Sequence, residues 1–102
     1  MKLVRDYIPA IIKEDGKTPV VHVVKNKDRH HVWLLDKMIE EMNEFYDDPS
    51  YEEAADVYEV FRSLVKLYEM DMEMIIQEAE RKRHERGGFN DGIILERVDK
   101  CK

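Results

Sequence analysis

The stretch LLDKMIEEMNEFYDDPSYEEAADVYEVF, residues 34–61, decides the fold. On its N-terminal side Val32, Leu35, Ile39, Met42 and Tyr46 recur at three- and four-residue steps, the spacing of one helical face. Asp47-Asp48-Pro49-Ser50 breaks that pattern. It resumes with a wider apolar set: Tyr51, Ala54, Ala55, Val57, Tyr58, Val60, Phe61, Leu64, Val65, Leu67 and Tyr68. Two consecutive helices joined by so short a turn pack antiparallel. A helix as apolar as the second needs cover on more than one side.

Working outward, the first of these helices is predicted over 28–47, with Asp28 as its N-cap, and the second over 50–70, capped by Ser50. A further helix starts after Asp71 and runs to about Arg86, where Gly87-Gly88 stops it. Residues 7–14 form a short helix with Pro9 in the first turn, where a missing N–H does no harm, and Asp15-Gly16 ends it. The β-branched runs TPVVHVVK (18–25) and IILERV (93–98) read as strands that pair with each other. The expected fold is mainly α: a helical bundle with a small two-stranded antiparallel β pair from the termini, one domain over residues 1–102. Three main helices leave part of the second bare, so a second copy of the chain is expected to complete a four-helix bundle as a homodimer or higher homo-oligomer.

The chain has 102 residues and a net charge of −6. An acidic chain does not suit general nucleic-acid binding, which needs a basic face. The single Cys101 permits no disulfide within one chain, which fits a reducing compartment. No apolar run reaches the roughly 18 residues of a membrane span, and the charged N-terminus does not resemble a signal peptide. These features point to a cytoplasmic protein without membrane contact.

The charge pattern at the hairpin is unusual. Glu41 and Glu44 are neighbours on one helical surface, and Glu53 and Asp56 on the next. Like charges at this spacing repel. One pair lies near the end of its helix and the other near the start of the following one, so all four carboxylates can converge at one end of the hairpin. Burial and mutual repulsion make such a cluster unfavourable alone. A hard divalent cation relieves it, and oxygen-only ligands suit Mg²⁺ or Mn²⁺ rather than zinc. Glu41 shares a row with Leu34, Met38 and Phe45, an apolar setting that favours a ligand. Asp56 shares its row with Glu52, Glu59 and Ser63, which also reads as a solvated stripe. Glu53 has a second explanation in a capping box with Ser50.

Glu40-Glu41-Met42-Asn43-Glu44 followed by Glu53-Ala54-Ala55-Asp56 resembles the E-E-x-x-E, E-x-x-D signature of the MazG-like all-α nucleoside triphosphate pyrophosphatases. KLVRDYIP (2–9) and RGGF (86–89) look like the ends of its phosphoribosyl-ATP pyrophosphohydrolase-like subgroup. The resemblance implies a Mg²⁺-dependent hydrolase that cleaves the α–β phosphoanhydride of a nucleotide to a monophosphate and pyrophosphate. By position it implies Glu41, Glu44, Glu53 and Asp56 as metal ligands, and Glu40 with Glu41 as catalytic. The Glu44–Glu53 spacer is shorter than in many members, which argues against larger substrate-capping loops. Alternatives are phosphoribosyl-ATP hydrolysis in histidine biosynthesis, or a non-catalytic helical dimer that binds nucleotides or a protein.

Lys82 and Arg86 share a face near the end of the last helix, and the resemblance makes them the substrate-binding candidates; cations there also suit the helix dipole. Arg5 and Asp6 are read as an ion pair pinning the N-terminus near the site, with contact to substrate as the alternative. Phe89 and Trp33 are expected in the core, the four histidines on the surface, and Met70, Met72 and Met74 at an interface. Cys101 has no partner for nucleophilic catalysis.

Overall fold

In the computed structural model, which describes residues 1–100, the first long helix starts one residue before the expected cap. Asn26, not Asp28, is the N-cap: its side chain accepts the Arg29 N–H at 3.1 Å. Asn caps as well as Asp, and Asp28 instead sits in the first turn, where its charge suits the helix dipole. The elements are α1 (Ile8–Glu14), α2 (Lys27–Asp47), α3 (Tyr51–Leu67) and α4 (Met72–Arg86). The protein is thus mainly helical. No described helix is long and apolar enough to cross a membrane.

The chain divides into two compact units, Met1–Met70 and Asp71–Lys102. In the first, α2 packs along α3. Leu34, Val60 and Leu64 are buried between them, and Leu3, Met38 and Leu67 pack against that cluster. Trp33 is half-buried. The face that α2 turns inward is therefore Leu34, Met38, Glu41 and Phe45. The periodic stripe Val32, Leu35, Ile39, Met42 and Tyr46 is exposed. Both rows have helical spacing, so period alone does not tell which one meets α3.

At the far end of the hairpin from the turn, His31 Nδ1 is hydrogen-bonded to the Tyr68 hydroxyl, with the ring centroids 5.4 Å apart. His31 is half-buried, not free on the surface.

The ends of α1 and α3 share one geometry with different residues. Gly16 (φ 81°) follows α1; its N–H donates to the Lys13 carbonyl and that of Lys17 to Ile12, the paired bonds of a Schellman motif. After α3 the same bonds run from Glu69 to Lys66 and from Met70 to Val65, both at 3.0 Å. Here the left-handed residue is Glu69, with φ 57°. A side chain in that region costs roughly 1–2 kcal/mol, offset in part by the entropy glycine loses on folding. Glu69→Gly is expected to stabilise the fold by about 0.5–1 kcal/mol, read from the denaturant midpoint.

In the second unit, Asp71 caps α4 by accepting the Glu73 N–H at 2.9 Å, and Gly87 (φ 81°) ends it, as expected. Arg81 is held by Glu78 and by Glu85. The hydrogen bond from Arg81 keeps the Glu78 carboxyl below its ordinary range. Phe89 is fully exposed, not a core plug. The expected strand pair is not formed: residues 18–25 and 93–98 carry no strand, and neither do any other described residues. Most of their apolar side chains, Val20, Val21, Val23, Ile93, Ile94, Leu95 and Val98, are exposed. A two-stranded ribbon with no third strand or helix on its face is marginal in water, so β propensity alone does not assemble one. Cys101 lies outside the described residues.

Candidate metal centre

The turn at Asp48-Pro49-Ser50 places the end of α2 beside the start of α3. Ser50 fixes that start by accepting the Glu53 N–H at 3.2 Å. The return half of a capping box is absent, because Glu53 Oε2 is buried with no hydrogen-bond partner. The Glu53 backbone serves the cap, and its carboxylate is turned to something else.

That carboxylate meets two others. One oxygen from each of Glu41, Glu53 and Asp56 lies within 4.8 Å of the others. Glu41 is the deepest charged residue, only 6% exposed, and its Oε2 also lacks a partner. Leaving such oxygens buried and unbonded costs free energy. Three carboxylates supply oxygen donors only, which fits a hard divalent cation such as Mg²⁺ or Mn²⁺.

The site is partly neutralised from within. Lys37 Nζ lies 3.3 Å from both Glu41 Oε1 and Glu40 Oε1. Burial pulls the Lys37 ammonium down, but its bonds to Glu40 and Glu41 outweigh that and leave it raised. Arg5, brought over by the N-terminal segment, contacts Asp56 Oδ1 at 2.6 Å. Arg5 therefore pairs with Asp56 and not, as expected, with its neighbour Asp6.

Among the described residues no cation pairs with Glu53. Desolvation pushes its carboxyl up, followed by the charges of Asp56, Glu41, Asp48 and Glu52. Glu44 is exposed and stands outside the tight trio. Its carboxyl is raised by the Glu41 charge first, then by burial, a hydrogen bond with Glu41, and the charges of Glu53 and Glu40. A carboxyl raised in the folded state opposes folding fully at neutral pH and ceases to do so as pH falls through the raised value towards the ordinary 4.5. With metal removed, the melting temperature is expected to rise as the pH falls from neutral towards the ordinary carboxyl range. Calorimetry in the presence of a chelator checks this, and a flat or falling profile would remove the repulsion from the account.

Of the sequence candidates, the structure brings Glu41, Glu53 and Asp56 together, leaves Glu44 at their edge and pairs Glu40 with Lys37. Lys82 and Arg86 are exposed on the last turns of α4, in the second unit. Sequence reasoning passed over Lys37. Its signal was available: a lysine three and four residues before the acidic pair, so on the same helical face.

Beside the trio, the first unit has a cleft of about 990 Å³ between the N-terminal segment, α2 and α3. Glu41 and Asp56 both line it, as do Glu59 and Ser63, so much of the row read as a solvated stripe faces this cleft. Comparisons with models of known protein families, with curated proteins and with solved structures gave no match.

Proposed function

We propose that this chain is a divalent-metal-dependent hydrolase that cleaves the α–β phosphoanhydride of a nucleotide, releasing a monophosphate and pyrophosphate. The observation that carries this reading is the convergence of Glu41, Glu53 and Asp56 from two helices, with two of their oxygens buried and unpartnered beside an open cleft. The resemblance of these same residues to the MazG-like signature supplies the reaction.

In this reading Glu41, Glu53 and Asp56 hold Mg²⁺ or Mn²⁺, with Glu44 in reach at the edge. Such an ion neutralises the spread oxygen charge of the phosphoryl groups and lowers the pKa of bound water. In the hydrolysis itself, a water oxygen joins the α-phosphorus, and the bridging oxygen leaves with the pyrophosphate. Glu40, held by Lys37, stands next to Glu41 and is placed to orient that water. The exposed stripe Val32, Leu35, Ile39, Met42 and Tyr46 supports a homodimer in which a second copy covers α2. A cytoplasmic setting supplies both nucleotide and Mg²⁺.

The test is a panel of canonical and modified nucleoside triphosphates together with phosphoribosyl-ATP, each incubated with Mg²⁺ or Mn²⁺ and scored for pyrophosphate. At least one is expected to release it, and only with metal. Turnover of phosphoribosyl-ATP alone would assign the chain to histidine biosynthesis. Binding without pyrophosphate from any member would make it a non-catalytic nucleotide binder.

A further inference from the structure

We propose that Arg5 and Lys37 form a two-cation grip for a phosphate group of an anionic ligand seated in the cleft beside the carboxylate trio. The inference rests on the metal reading above and adds the ligand-binding side of the same site. Its starting point is an asymmetry. Among the three carboxylates, the two that line the cleft each carry a protein cation, and Glu53, which does not line it, carries none among the described residues. Arg5 and Lys37 themselves line the cleft. Both cations are thus one carboxylate away from the position an ion would take.

The Arg5 side chain is suited to change partners. It is 58% exposed and reaches Asp56 through a single nitrogen. A guanidinium has five N–H donors in a planar fork, so most remain for a ligand, and phosphate accepts them two at a time. Lys37 is fixed in place, only 18% exposed, between Glu40 and Glu41. It supplies a point charge rather than a fork. When a divalent cation takes over neutralisation of Asp56 and Glu41, both protein cations are freed to face the ligand. Lys27, Arg62 and Lys66 line the same cleft, as do Asp6, Glu59 and Glu69, with Arg62 paired to Glu59. Every residue lining this cleft belongs to the first unit.

Inorganic pyrophosphate is the probe. The full-length protein is first titrated with Mn²⁺, and then, saturated with Mg²⁺, with Mg²⁺–pyrophosphate. Arg5→Gln is expected to bind Mn²⁺ at least as tightly as the parent and to bind pyrophosphate about tenfold more weakly or worse, the effect of losing a charged hydrogen bond. Arg5→Lys is expected to recover part of the loss. Lys37→Gln, checked by its helical signal, is expected to weaken pyrophosphate binding as well. Normal Mn²⁺ uptake with unchanged pyrophosphate affinity in Arg5→Gln would overturn the grip and leave the metal reading standing. If the parent takes up no Mn²⁺, the metal reading fails instead. The grip then stands only if the metal-free parent binds pyrophosphate and Arg5→Gln does not; otherwise it falls as well.

Discussion

Glu41→Gln is expected to abolish metal-dependent pyrophosphate release, a loss of more than about 100-fold, with the helical signal unchanged. Replacing even an outer-shell partner of a metal ligand typically costs 10–100-fold, and Glu41 is argued to be a ligand itself. Glu41 is only 6% exposed and its Oε2 is unpartnered, so it is the most deeply placed oxygen donor of the trio. The amide keeps the shape and removes the charge. Lys37 retains Glu40 as a partner at 3.3 Å, so the substitution does not strand a buried cation. Glu53→Gln is a useful companion. No cation among the described residues pairs with Glu53, and desolvation already disfavours its charged form, so the amide is expected to raise the melting temperature of the metal-free protein while lowering activity. A variant more stable and less active would separate the functional cost of the cluster from its structural cost. Full activity in Glu41→Gln would show that the reaction, if present, occurs elsewhere.

The second large effect is on stability. Leu34 is 3% exposed and lies against Val60 and Leu64 between α2 and α3. Leu34→Ala is expected to cost about 2–5 kcal/mol, the range for deleting a buried leucine side chain into a cavity. A domain of this size commonly has only 5–15 kcal/mol in total, and the packed cluster here is small. A sharp drop in the urea midpoint is therefore expected. Its neighbour Leu35 is on the exposed stripe, and Leu35→Ala should cost far less in dilute solution. Where a second copy covers that stripe, Leu35→Ala lowers the association constant instead. Equal costs for the two substitutions in dilute monomer would mean that the buried face of α2 is wrongly assigned.

These two leucines also show what the sequence could and could not convey. Four helix ends were legible, because Ser50, Asp71, Gly16 and Gly87 have local chemistry that needs no knowledge of the rest of the chain. So was the convergence of Glu41, Glu53 and Asp56, which follows from two helices, a short turn and the side-chain period. The choice between the Leu34 row and the Leu35 row was not legible. Both are apolar, and only the position of α3 distinguishes them. The Arg5–Asp56 contact spans 51 positions and depends on where the N-terminal segment lies, which no local pattern encodes. The strand pair was over-read for a related reason. Val20, Val21, Ile93 and Ile94 favour extended backbone, but a ladder depends on what else covers it. Glu69 is a further case, since nothing in its identity announces a left-handed conformation.

The most direct test of the central claim is to locate Mn²⁺ in crystals of the full-length protein by its anomalous scattering. A peak bounded by carboxylate oxygens of Glu41, Glu53 and Asp56, lost in crystals of Glu41→Gln, is the expected result. Protein that is saturated with Mn²⁺ in solution yet shows no peak among those three side chains would contradict it.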